Sequence, residues 1–226
     1  MNASDYAYVK SLSPVLWLSA SNFDGDRMSY SGVVTGDASY RTIDSIGNTV
    51  TSSGTIKVVN VDGYSAYHFD KTNRIASDTY VVKPYSLLLI YKDIPPPVAY
   101  GRFFTADPEY YSFFGNWGDR EDQWHESDTW ISGSGNQAQT FTMQFLIAIN
   151  DNGVRNMWDA KRNSQPIIGN TVTGQGIWGK TVVGLNPKYP SGSQAAYIFE
   201  AIVFNKALTA TENDNLRYIF KKKYNM

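Results

Sequence analysis

Between residues 115 and 135 this chain gathers Trp117, Asp119, Asp122, Trp124, His125, Glu126 and Trp130. Tryptophan offers a flat apolar face and one N–H donor, a combination suited to stacking on a sugar ring. Asp119, Glu121, Asp122 and Glu126 are acceptors for sugar hydroxyls, and Asn116, Gln123 and His125 add further hydrogen-bonding groups. The chemistry implied is reversible glycan binding. The competing reading is structural, with Trp117 and Trp130 as core residues at strand ends and Trp124 either core or surface. The stretch is polar and bounded by glycine, so it reads as a loop.

Other chemistries find little support. The histidines are His68 and His125, and there is no cysteine. A transition-metal site built from such a set is not expected. A Ser-His-Asp triad lacks a Gly-x-Ser-x-Gly elbow, and His68, within Tyr67-His-Phe-Asp70, reads as a half-buried strand residue. Gly174-Gln-Gly176 is not followed by the Gly-Lys-Ser/Thr of a phosphate loop.

The elements that must position these residues are mostly strands. Residues 15–20 form the first clear one, and 21–54 are Ser-, Gly-, Asp- and Asn-rich, with one short strand near 39–43. Segments 55–61 and 66–70 form a hairpin about Asp62-Gly63. The apolar run 85–91, ended by Pro95-Pro96-Pro97, belongs in a sheet centre. A second hairpin covers 102–106 and 111–116. A long strand over 140–150 turns at Asp151-Asn152-Gly153 and returns through 154–160. Short strands and loops fill 169–184. Residues 1–13 alternate Tyr6, Tyr8 and Val9 with polar residues, which suggests an edge strand or an arm onto a neighbouring subunit, or a weakly ordered terminus. The remainder, 14–226, reads as one domain of ten to thirteen strands.

With 226 residues, a single sandwich can bury a sizeable core. Twenty Lys and Arg against 21 Asp and Glu leave a net charge of −1, so there is no basic surplus for nucleic acid. No apolar run has the length of a membrane span. The first residues carry neither a charged start nor an apolar stretch, so no export signal is expected there.

Residues 196–226 make a specific ending. Residues 196–204 are apolar on both faces, as in a strand between two layers: Tyr197, Phe199, Ala201 and Val203 alternate with Ile198, Glu200, Ile202 and Phe204. Thr209-x-x-Glu212 is a capping box, and Leu216, Ile219 and Phe220 recur at helical spacing before Lys221, Lys222 and Lys223. Glu200 reads as a buried carboxylate paired with Arg or Lys, or bonded to backbone N–H. This ending resembles the closing strand and helix of concanavalin A-like (laminin G-type) jelly-roll domains. The residues that carry the likeness are Glu200, Val203, Phe204, Asn205, Lys206, Ala207, Leu208, Thr209, Glu212, Leu216, Lys223 and Tyr224. Pro14-Val-Leu-Trp-Leu-Ser-Ala-Ser-Asn22 resembles the first strand of such domains.

The resemblance implies an all-β fold: a concanavalin A-like jelly-roll β-sandwich of two antiparallel sheets with a short C-terminal helix. Related glucanases carry Glu-x-Asp-x-x-Glu on one strand. Asp119, Glu121, Asp122 and Glu126 do not reproduce it, so a non-enzymatic role is expected. Many laminin G-type domains bind Ca2+, for which Asp24, Asp26, Asp119 and Asp122 are candidate ligands by type. The family is often extracellular, yet this chain has no cysteine. A phage virion component, folded in the host cytoplasm and exposed after lysis, reconciles the two. The expectation is a capsid-decoration, head-fibre or tail-associated protein whose partners are other virion proteins, further copies of itself and surface glycans. The alternatives are a bacterial carbohydrate-binding module or glycan-processing enzyme, and a cytoplasmic location or a place in an exported assembly.

Overall fold

In the computed structural model, the described residues are 1–20, 33–34, 40–43, 49–54, 56–96, 102–107, 113–117, 120–126, 129–132, 142–159, 167–168, 179–184 and 192–226, those within 113–132 by backbone alone. The elements are α1 (Ala3–Ser11), β1 (Leu16–Ser19), β2 (Val33–Val34), β3 (Tyr40–Ile43), β4 (Thr49–Ser53), β5 (Ile56–Val61), β6 (Tyr64–Phe69), β7 (Arg74–Val81), β8 (Tyr85–Asp93), β9 (Arg102–Asp107), β10 (Phe113–Trp117), β11 (Arg120–Glu126), β12 (Thr129–Ser132), β13 (Gln144–Asp151), β14 (Val154–Asp159), β15 (Ile167–Ile168), β16 (Gly179–Gly184), β17 (Ala196–Phe204) and α2 (Ala210–Tyr224).

The central sheet runs β15-β14-β13-β8-β17-β6-β5-β2, and β1 also pairs with β17. The outer sheet runs β12-β11-β10-β9-β16-β7-β4-β3. Every described pairing is antiparallel. The β5–β6 turn places Asp62 and Gly63 at φ 54° and 87°, and the β13–β14 turn places Asn152 and Gly153 at 51° and 102°. Both follow the Asp-Gly and Asn-Gly signals, whose positive φ at both central residues matches the strand twist.

β17 organises the central sheet. One side pairs with β8. The other is shared end to end, with β6 opposite residues 196–198 and β1 opposite residues 200–203. Leu16, Leu18, Leu87, Leu89, Ile198, Ala201, Val203, Phe104 and Val183 form the core between the sheets. Trp17, Leu88, Ile90, Phe199, Ile202 and Phe204 form a second core with Val9 and Leu12 of the N-terminal segment and with Leu216, Ile219 and Phe220 of α2. The central sheet is thus covered on both faces, by the outer sheet on one and the helices on the other. That double burial explains the unbroken apolar runs of β8 and β17.

The simple alternation expected along β17 is broken. Ile198 stands opposite Tyr91 and Glu200 opposite Ile90, so Phe199 is an extra residue, a β-bulge. Ile198, Ala201 and Val203 consequently share the inter-sheet core, while Phe199, Ile202 and Phe204 share the helix-side core.

The N-terminal segment is a helix, where an edge strand was one of the expected forms. Asn2 caps α1 by accepting from Asp5 N at 2.8 Å, and the Tyr6 ring stacks on Trp17 at 5.2 Å between centroids. Tyr6 and Val9 lie three apart, which puts them on one helix face. The apparent period of two over Tyr6 and Tyr8 was misleading because the contact that decides the segment comes from β1. α2 opens on the expected capping box: Glu212 N donates to Thr209 Oγ1 at 3.3 Å and Thr209 N to Glu212 Oε2 at 2.9 Å. It ends at Asn225, which takes φ 53°.

Candidate sugar-binding edge of the outer sheet

Residues 115–135 were expected to form a loop. The structure instead places most of the described part in three antiparallel strands, β10 to β12, at the end of the outer sheet. The charges of Arg120, Glu121, Asp122 and Glu126 hid the strand pattern, but β11 and β12 lie at a sheet edge, where charged residues are commonplace.

The ladder register sorts the candidate residues by side. Val183 stands opposite Phe104, Phe104 opposite Phe114, Phe114 opposite Trp124, and Trp124 opposite Ile131. Directly opposed residues share a sheet face. Phe104 and Val183 are fully buried in the inter-sheet core, so the Trp124 position belongs to the core side. Glu126, two residues on, holds the same side by position.

The other side carries Thr105, Phe113, His125 and Trp130, each opposite the next. Thr105 is buried, so this row runs from a covered position at β9 to the edge strand β12. On β10, Trp117 lies four residues from Phe113 and therefore on the same side. Between Gly115↔Gln123 and Trp117↔Arg120 the register shifts, setting Glu121 and Asp122 of β11 against Asn116. The structure thus gathers Trp117, His125 and Trp130 on one side and separates Trp124 from them. At about 4.8 Å between strands and 3.4 Å per residue, the Trp117 and Trp130 positions are about 16 Å apart. Asp119 lies outside the described residues.

Of the Ca2+ candidates, Asp24, Asp26 and Asp119 lie outside the described residues, and Asp122 sits in β11. Among the described residues no group of three or more His, Cys, Asp or Glu could hold a metal ion. Among the described residues no helix is long and apolar enough to cross a membrane.

Two other groups singled out from the sequence are now placed. Glu200 is fully buried and accepts from Trp17 Nε1 at 2.9 Å, Ser19 Oγ at 2.9 Å, Tyr224 Oη at 2.8 Å and the Lys223 ammonium. The expected buried ion pair is there, and it serves structure. His68 is half-buried on β6, as expected, opposite both Lys57 and Tyr197. Burial raises the pKa of the neighbouring Asp70, but hydrogen bonds from Thr72 and the nearby His68 outweigh it and leave a net lowering. Sequence reasoning missed the partnership of His68 with Tyr197, because strand order is not written in either strand.

No protein-family model matches the chain, and no curated protein matches its sequence. Solved structures do match in fold. Domain 4 of AbnA, a GH43 extracellular arabinanase from Geobacillus stearothermophilus seen with arabinotriose, aligns at TM-score 0.56 and 17% identity, over 74% of this chain and 87% of that one. Botulinum neurotoxin type C, whose passage into cells depends on interaction with two ganglioside molecules, aligns at 0.59 and 12% over 93% of this chain and 52% of that one. Trypanosoma rangeli sialidase aligns at 0.51 and 11% over 92% of this chain and 32% of that one. The chain therefore spans about half of the neurotoxin structure and a third of the sialidase. At these identities the likeness concerns fold alone. The chain is an all-β sandwich of two antiparallel sheets with a short C-terminal helix.

Proposed function

We propose that this protein is a non-enzymatic sugar-binding platform, with the saccharide held along β10 to β12 on the side that carries Trp117, His125 and Trp130. The observation that carries this reading is the ladder register, which brings two tryptophans and a histidine to one side of a sheet edge. Flat indole faces spaced by about 16 Å suit an oligosaccharide rather than a single sugar. The sugar-bound arabinanase domain and the ganglioside-dependent neurotoxin support the class of ligand by analogy of fold.

The finer proposal is that the platform is carried on a virion as a decoration, head-fibre or tail-associated protein. The absence of cysteine and the near-neutral charge support it. A carbohydrate-binding module serving a bacterial glycan-processing system shares the same chemistry. Titration with arabinotriose and a panel of neutral and sialylated oligosaccharides tests the platform. Saturable binding lost in Trp130→Ala supports it, and no binding across the panel sinks it. Finding the chain at fixed stoichiometry in purified particles separates the virion role from the bacterial one.

A further inference from the structure

Two hairpin tips of the central sheet are built alike. Asn60-Val61-Asp62-Gly63 joins β5 to β6, and Asn150-Asp151-Asn152-Gly153 joins β13 to β14. In each, the glycine N–H donates to Oδ1 of the asparagine three residues before it, at 3.2 Å from Gly63 and 2.8 Å from Gly153. The residue before each glycine carries a side-chain carbonyl carbon that the glycine nitrogen can reach by closing a five-membered ring. Two differences set the second tip apart chemically. Its side chain is an amide, in the one Asn-Gly pair of the sequence, and the accepting Asn150 is fully buried.

We infer that Asn152 is a site of spontaneous deamidation, and that Asn150 restrains the reaction while the chain is folded. The Gly153 nitrogen attacks Cγ of Asn152. The N–Cγ bond forms, the Cγ–Nδ2 bond breaks, and the departing amide nitrogen takes up the glycine proton and leaves as ammonia. Water then opens the succinimide at either carbonyl, giving aspartate or isoaspartate. Glycine favours the ring because no Cβ crowds it. The Asn152 side chain is exposed, and its Nδ2 donates to Asp151 Oδ1 at 3.1 Å. The nucleophile is not free: its N–H is donated to Asn150 Oδ1, so it reacts only when the tip opens. Asp62 does not compete, because its carboxylate is held by Lys92 at 2.7 Å and an ionised carboxylate offers no leaving group for the ring closure. Isoaspartate lengthens the backbone by a methylene beside the Asp151–Val154 pair that closes the hairpin, and either product adds a negative charge next to Asp151.

The test is incubation of the full chain in mildly alkaline buffer, folded and in guanidinium chloride, with mass spectrometry of the peptide that carries residue 152. Amide-to-acid conversion there is expected to be at least about tenfold slower in the folded chain than in the unfolded one. That comparison needs no substitution. Asn150→Ala should speed conversion in the folded chain about fivefold, and Asn150→Asp, which keeps an oxygen acceptor, should not. Val9→Ala, which loosens the helix-side core and leaves Asn150 in place, separates opening of the tip from global unfolding and should leave the rate unchanged. Equal rates in folded and unfolded chain, or no conversion at residue 152 in the unfolded chain, would overturn the inference. So would an unchanged rate in folded Asn150→Ala, or an acceleration by Val9→Ala or Asn150→Asp as large as that by Asn150→Ala.

Discussion

Trp17 Nε1 donates to Glu200 Oε2 at 2.9 Å, tying the first strand to the last across most of the chain. The same carboxylate also receives Ser19, Lys223 and Tyr224, so β1, β17 and α2 meet on one buried charge. The bulge at Phe199 makes this possible, because it turns Glu200 toward the helix side, where simple alternation would set it opposite Phe199. A buried carboxylate is tolerable when its acceptor sites are filled and a cation lies beside it.

Glu200→Gln should therefore cost about 3–5 kcal/mol in denaturant unfolding, since Lys223 is left as a nearly buried cation with side-chain exposure of 7%. The double variant Glu200→Gln, Lys223→Met should recover part of the loss. A single-variant loss under about 1 kcal/mol would show that the pair behaves like one on the surface.

Removal of residues 1–12 should destabilise the whole domain. The sequence alone suggested an edge strand, an arm or a weakly ordered terminus; in the fold, Val9 and Leu12 are buried in the helix-side core and Tyr6 stacks on Trp17. Each buried aliphatic side chain contributes about 1.5–3 kcal/mol. The measurement is the unfolding midpoint of the truncated chain, and an unchanged midpoint would return α1 to the role of an accessory arm.

The capping box of α2 should be worth about 1 kcal/mol by Thr209→Ala. It should also be pH-sensitive. Burial raises the Glu212 pKa, but the Lys206 ammonium at 2.6 Å and the Thr209 bonds outweigh it and hold it below the usual value. A lowered folded-state pKa means stability that is present above the unfolded-state pKa and lost as pH falls through the folded-state one. Glu212→Gln should remove that acid-side slope, to be read from unfolding free energies between pH 6 and pH 3. A slope unchanged by the substitution would place it on other carboxylates.

The two sides of the outer sheet at β11 and β12 should respond differently. Trp124→Ala, at a core-side position, should cost about 3–5 kcal/mol in stability. Trp130→Ala, on the far side, should cost less than about 1 kcal/mol and act on sugar binding. Both are read by thermal unfolding alongside titration. The reverse pattern would mean that the outer sheet faces the other way at its edge.

Much of the fold was legible in the chain alone, because local rules decide it. The turns at Asp62-Gly63 and Asn152-Gly153 need positive φ that few other pairs supply. The run 85–91 has no polar side to wet, and Thr209 with Glu212 closes its own helix end. Glu200, alone among apolar neighbours, called for a cation or for backbone N–H donors, and the fold brings it Lys223. Three things depended on contacts between segments distant in the chain. Period-two tyrosines did not reveal that residues 3–11 coil against Trp17. Nor did β17 announce that Phe199 would bulge, since a bulge is set by the register of β8, β6 and β1 around it. The aromatic and acidic residues between 115 and 135 were all visible, but whether position 124 or position 130 lies on the core side of the sheet is decided by which residue stands opposite Phe114. A strand's composition says that it has two faces, and only its neighbours in the sheet say which one is inside.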